Sequence, residues 1–317
     1  MNIVNLERLY GLTALIPFFP YVKFYETMFY QKSRRSGIKM KNPLKFLAVL
    51  LFCLCFVGQM LPASPQGHWE FGFHYSRWSI NILRSIIEEG LSEALESDLK
   101  GKILEDIQSD NPTLLETGYS QEVAFDSSGD NFGFEIRWYP GGQNGSFSLG
   151  LSVEKTTMKV SLPEVSASLA LRDELTSKAA DFSGAANGEF LMKPLSFHLS
   201  FRWDIFPSSI IHPYITFGLG AATGTALEEA EVSYSYSGDL VISGEEPEHY
   251  EDSVSKSIKQ LKEELEEEGE EFFLPNFVPF VQLNLGIKGV ISRNFHFLVD
   301  AGIWNGFLLR GGISFRF

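Results

Sequence analysis

Phe307-Leu308-Leu309-Arg310-Gly311-Gly312-Ile313-Ser314-Phe315-Arg316-Phe317 ends the sequence and alternates with period two. Phe307, Leu309, Ile313, Phe315 and Phe317 share one face; Arg310, Gly312, Ser314 and Arg316 share the other. This is the pattern of a strand with one apolar side. A soluble strand rarely ends on a bare aromatic residue. Seven earlier stretches alternate in the same way, at 69–76, 132–139, 147–153, 195–205, 214–222, 281–288 and 295–304. Turn chemistry separates several of them, as in Pro140-Gly141-Gly142 and Asn305-Gly306.

Eight strands form an even set, each close to the ~9–11 residues that cross a bilayer at a tilt. The connections after strands two, four and six are short. Those after one, three and five are long, and the last is tight. Outward Trp69, Trp138 and Trp203 all fall at the short-turn ends of their strands, where an interfacial aromatic girdle belongs. Most strand glycines fall on the opposite, inward face, as a narrow lumen requires.

The pattern resembles the small eight-stranded β-barrels of bacterial outer membranes. The resemblance is at the level of architecture, plus the terminal Phe317. It implies an all-β, up-and-down antiparallel transmembrane barrel with helical extracellular loops, in the outer membrane of a double-membraned bacterium. It also implies that Phe315 and Phe317 belong to the signal read by the barrel assembly machinery, and that outer-membrane lipid surrounds the belt.

Bulk properties agree. The 317 residues carry a net charge of −14 and a pI near 4.9, which argues against a nucleic-acid partner. Mean hydropathy is −0.02, which excludes a bundle of membrane helices but not a barrel, whose apolar residues alternate. Cys53 and Cys55 both lie in the apolar run 46–57, between Lys41 or Lys45 and Leu61-Pro62-Ala63-Ser64. This reads as a signal peptide over 40–63, leaving a mature chain at 64–317 without cysteine. Residues 1–39 read as a start-site artefact ahead of Met40, or as a signal extension.

Three long connections, 79–130, 155–190 and 226–275, are expected outside the cell. Ile80, Leu83, Ile87, Leu91, Leu95 and Leu99 recur at helical spacing, as do Val254, Ile258, Leu261 and Leu265. The 155–190 stretch is Ser/Ala-rich with weak helical signal.

The inward charges are Glu70, Glu135, Glu154, Asp204 and Asp300 against Arg137, Arg202, Lys288, Arg310 and Arg316. Five against five predicts an ion-paired, sealed lumen rather than a pore selective for one sign of charge. Glu70 and Arg316 sit at the same end of strands that become neighbours on closure. His74, His198 and His296 also face inward, but at different depths and without metal-site spacing. A catalytic role for His74 with Ser76, as in a lipid A acyltransferase, is the enzymatic alternative. No cofactor or metal is expected.

Acidity is concentrated outside the strands. Residues 226–271 hold sixteen acids and three lysines, densest at Glu263, Glu264, Glu266, Glu267, Glu268, Glu270 and Glu271. The bland reading is a solvated face; the sharper one is weak, multivalent capture of divalent cations or a basic extracellular partner. The functional expectation is a non-enzymatic, anchor- or adhesin-like surface protein. A narrow pore, a lumen enzyme and a lipocalin-like carrier are the alternatives.

Overall fold

The computed structural model describes residues 67–142, 144–267 and 274–317. The predicted signal peptide, the segment before it, and Glu268, Glu270 and Glu271 lie outside them. Contacts divide the chain into two units. One is described over Glu93–Gly101, a helical stretch in which Lys100 lies 3.6 Å from Glu96. The other, Ala63–Ser92 with Lys102–Phe317, contains the whole sheet.

That sheet has eleven strands. They are β1 (His68–Ser79), β2 (Leu115–Tyr139), β3 (Phe147–Arg172), β4 (Ala179–Met192), β5 (Leu195–Asp204), β6 (Ile211–Thr223), β7 (Glu231–Ile242), β8 (Glu248–Ser257), β9 (Phe277–Val290), β10 (Phe295–Trp304) and β11 (Phe307–Arg316). Among the described residues four α-helices accompany them: α1 (Arg84–Ala94), α2 (Gly101–Asp110), α3 (Thr225–Glu228) and α4 (Ile258–Glu267). Eight strands, in the order β1-β2-β3-β5-β6-β9-β10-β11, close on themselves, and every pairing is antiparallel. These are the eight alternating stretches of the sequence.

Closure is made between the first and last strands. Glu70 faces Arg316 and Phe71 faces Phe315 in register. The Trp69 amide donates to the Phe317 carbonyl at 3.0 Å, and the Phe317 amide returns the bond at 2.9 Å. Outside, the Phe317 ring stacks on Phe71 at 5.4 Å.

The alternation sorts the two faces. Phe71, Phe134, Leu151, Phe197, Leu283, Val299 and Leu309 are exposed on the outer wall. Their partners one residue along are buried in the lumen. Trp69 and Trp203 stand exposed on the outer wall near the short turns, and Trp138 is half-buried beside Trp69 in register.

The long connections differ from the sequence expectation: most of their length is strand, and the helices are minor. Above the barrel, β2-β3-β4-β7-β8 forms a five-stranded antiparallel extension. Its order repeats the barrel order β2-β3-β5-β6-β9. At 25 residues and ~3.3 Å each, β2 reaches about 80 Å, far beyond a hydrocarbon layer. The lower part of β3 pairs with β5 and its upper part with β4.

Two predicted assignments need correction here. The 155–190 stretch is a β3–β4 hairpin, not a weakly helical loop. Its alternation is masked by Pro163, which sits at a register shift between Leu162 and Val165. Up to Met158 the even positions are buried; from Ala167 the odd ones are. A proline cannot donate to the ladder and is accommodated at such a bulge. Val254 lies in β8, so only Ile258, Leu261 and Leu265 of the second predicted helix stand on α4. Of the first predicted helix, Ile87 and Leu91 stand on α1, with Leu91 buried; α2, with Ile103 and Ile107 buried, lies beyond the predicted stretch, and β2 begins already at Leu115.

Inward glycines make room for the large group on the neighbouring strand. Gly133 is paired with His74 and Gly220 with His198, and a Cβ at either would overlap the imidazole. Gly150, paired with Arg137, would put its Cβ 2.6 Å from the guanidinium. Gly133→Val is therefore expected to cost about 1–3 kcal/mol through overpacking. Unfolding in urea from detergent micelles measures it. A stability equal to wild type would show that the wall yields at this position.

Candidate functional site

The lumen is filled by three polar layers, which follow from the inward phase of each strand. At the short-turn end Glu70 is the hub. It accepts from Lys288 Nζ at 2.5 Å and from Arg316 Nε at 2.8 Å, and its other oxygen is 3.9 Å from Arg202. Lys288 also donates to the Tyr139 hydroxyl at 3.1 Å, and the Arg316 guanidinium lies 3.8 Å from the Tyr139 ring centroid. Asp204 lies 3.8 Å from Arg316 and 4.0 Å from His212. These separations are longer than direct hydrogen bonds.

In the middle layer Arg137 pairs with Glu135 on its own strand, and also donates to Ser148 at 3.1 Å and Ser200 at 2.7 Å. Arg202 lies 3.6 Å from Glu135 and donates to Thr216 at 3.3 Å. Asp300 accepts a forked pair from Arg310, Nε at 3.0 Å and Nη2 at 2.8 Å. Asn284, at 2.7 Å, and the Tyr214 hydroxyl complete its shell. Forked Arg–carboxylate pairs are strong as well as directional.

In the outer layer Glu154 accepts from Asn131 and Ser152, both at 3.0 Å, with His74 Nε2 3.4 Å away. Trp304 and Phe280 stack at 4.7 Å beside His198, and both are fully buried. A cavity of about 20 Å³ lies among Glu70, His74, Glu135, Arg202, Asp300 and Arg310. That is room for roughly one or two waters.

All ten predicted lumen charges are thus buried and inward. The register joins Glu70 with Arg316, while Glu70–Lys288 and Glu135–Arg202 span non-adjacent strands. Tyr139, Tyr214 and Phe280 are further members. Each lies in the inward phase of its strand, next to the outward Trp138, Ile215 and Val281, and that phase was the available signal.

The histidines do not converge. His74 belongs to Glu154, His198 to Ser196 and Trp304, and His296 lies at the short-turn end of β10. Among the described residues no group of three or more His, Cys, Asp and Glu is placed to hold a metal ion. Ser76 lies within 3.5 Å of Asn131 Oδ1 as a donor, rather than serving His74.

Ser196 Oγ lies 2.7 Å from His198 Nε2, the spacing of a nucleophile and its base. The Trp304 indole N–H, which can only donate, faces His198 Nδ1 at 3.4 Å. Nδ1 therefore accepts, Nε2 carries the proton, and Ser196 receives that proton in a hydrogen bond. This tautomer does not activate a serine.

Outside the barrel the acidic residues are partly paired. On α4, Glu263 is 3.8 Å from Lys259 and Glu266 is 3.6 Å from Lys262. Glu264 receives Lys256 at 2.7 Å, and Glu267 is exposed. At the tip of the β3–β4 hairpin, Asp173 accepts from the Thr176 hydroxyl at 2.5 Å and the Leu175 amide at 2.8 Å. Those bonds hold its carboxyl down at about 2. On the β7–β8 hairpin, the hydrogen bond to Asp239 at 2.8 Å raises the pKa of His249.

Two outcomes follow. Glu70→Ala leaves Lys288 and Arg316 buried without their shared carboxylate, and should cost about 3–5 kcal/mol in urea unfolding. Glu70→Leu combined with Lys288→Met should recover much of that loss; no recovery would show that the hub is not the cause. The His249–Asp239 contribution is fully present below the unfolded value near 6.5 and fades as pH rises through the raised folded value. Amide exchange in β7–β8, corrected for intrinsic rate, should quicken over that window, and His249→Gln should abolish the change.

No family model and no curated protein matches the sequence. Among solved structures, the chain is similar to the N-terminal β-barrel domain of Pseudomonas aeruginosa OprF, with 10% identity and a TM-score of 0.30 over 80% of this chain and 98% of that one. The translocator domain of the autotransporter NalP from Neisseria meningitidis shows 9% identity and a TM-score of 0.22 over 86% and 96%. The Ralstonia pickettii toluene transporter TbuX shows 6% identity and a TM-score of 0.17 over 79% and 89%. The eight-stranded closure described above stands on its own strand pairings.

Proposed function

We propose that this chain is a sealed outer-membrane anchor that carries a folded, acidic β-extension on the cell surface. The observation that carries the reading is the lumen: five carboxylates and five cations, all buried, tie the strands together from end to end. A conducting path needs continuous water, and the cavity at the centre of this network holds about 20 Å³. An apolar belt around a polar, filled interior is the inverse of a soluble carrier, whose oily face points inward.

In this reading lipid covers the belt and the short turns face the periplasm. The last strand, with Phe315 and Phe317, is handed to the barrel assembly machinery after export by a cleaved signal peptide. The function is one of display rather than catalysis. The extension stands in the medium, and its acidic field favours basic partners or divalent cations over anionic ones.

Planar-bilayer recording on the refolded 64–317 chain tests the seal. Wild type is expected to give no discrete steps, and Arg137→Ala with Arg202→Ala to open a measurable conductance. Steady steps from the wild-type protein would overturn the sealed reading and favour a narrow pore.

A further inference from the structure

The first turn after β1 is helical (Asn81–Leu83) and leads into α1. This stretch is held to the edge of β2 by polar groups. The Asn81 side chain accepts from the Ser127 amide at 2.7 Å and donates to Asp126 at 2.8 Å. Arg84 pairs with Asp126 at 3.1 Å, and Glu88 accepts from the Phe125 amide at 2.9 Å. Bare apolar residues stand beside this polar attachment: Ile82 is 66% exposed, Leu83 44% and Ile86 67%. A surface helix of a soluble protein does the opposite, with its apolar stripe against the protein and its polar face in water.

The patch adjoins the belt on the β11 side, while on β1 and β2 the outward Arg77–Asp130 pair, 3.1 Å apart, lies between the two. Ser79, at the top of β1, pairs with Phe307, and Ile80 lies against the Asn305-Gly306 turn between β10 and β11. Ile303 and Phe307, on either side of that turn, are exposed members of the outer wall. No extension strand rises from β10 or β11, whose connection is only this tight turn. The exposed face of α1 therefore begins where the belt ends, on the low side of the wall.

We propose that the foot of α1 is an interfacial lipid-docking surface: Ile82, Leu83 and Ile86 insert among the lipids of the outer leaflet. This rests on the membrane reading of the belt. An inserted apolar helix face with a charged or polar attachment is the physical form of an interfacial anchor. The contact gives β2 a second support where it leaves the membrane, and it makes the wetted boundary higher at α1 than at the β10–β11 turn.

Site-directed spin labels test this on the refolded protein in lipid vesicles. The mature chain has no cysteine of its own. Single labels at Ile82→Cys and Ile86→Cys are compared with Leu309→Cys on the belt and Glu89→Cys on the exposed part of the helix. Accessibility to oxygen against a water-soluble nickel complex is the readout. Labels at 82 and 86 are expected to favour oxygen, as at 309, while 89 favours nickel. Nickel-accessible labels at 82 and 86 with a lipid-like 309 would overturn the docking surface and leave the membrane reading standing. A water-like 309 would overturn both. Dipolar broadening between labels at 86 would assign the patch to a second copy of the chain and overturn the lipid occupant.

Discussion

One carboxylate, that of Glu70, joins more of this barrel than any ladder hydrogen bond does. It stands on β1, receives Arg316 from the adjoining β11, Lys288 from β9 beyond that, and lies within reach of Arg202 on β5 across the lumen. A ladder holds neighbours; this group links strands across the lumen whose diameter strand number and stagger set. A buried carboxylate is tolerable only with such partners, because removing an ion from water costs several kcal/mol unless charge and hydrogen bonds replace the solvent. The same rule runs through the other layers, where Asp300 and Glu154 are each fully surrounded. The interior charge is therefore a consequence of inverted packing. With an apolar outer wall, polarity has to go inward, and the cavity among these groups has room for only roughly one or two waters to solvate it.

Above the rim the physics changes. Both faces of the extension can meet water, so the strands no longer need the strong contrast that marks the belt. A modest apolar core replaces the ion-pair network, including Leu169, Leu171, Val232 and Leu240 on strands and Ile103 and Ile107 on α2. The two edges of this sheet are treated differently. Side chains of the first helical turn and α1 satisfy amides on the β2 edge, whereas β8 carries His249, Glu251 and Asp252. Charges along an edge discourage pairing with another strand.

This division explains what could be read from residues alone. The eight barrel strands were legible because the outer wall and the lumen carry opposite chemistry on alternate positions. The Glu70–Arg316 neighbour pair was legible because first and last strands must meet. The link from Glu70 to Lys288 was not, since it depends on the lumen diameter. The β3–β4 hairpin was missed because Pro163 reverses the phase midway and because Ser and Ala fill both faces. The β7–β8 hairpin was half visible: Val232, Tyr234 and Tyr236 alternate with serines, but the acidic helix beyond drew the assignment of Val254 away from the strand. In the lumen the histidines were placed correctly as inward, while the tautomer of His198 depends on Trp304, a contact between strands far apart in sequence.

The matching of glycine to a large partner across a strand pair also constrains how such a sequence can drift. His74 with Gly133, His198 with Gly220 and Arg137 with Gly150 each fill a fixed volume from one side only. A larger residue at any of these three glycines has nowhere to go while its partner keeps its size. Lineages of this barrel should therefore explore their interior by paired exchange, with bulk passing from one strand to the next while the total stays constant. Ancestry would then be recorded in correlated columns of the lumen, while the outer-wall positions interchange freely among Phe, Leu, Ile and Val.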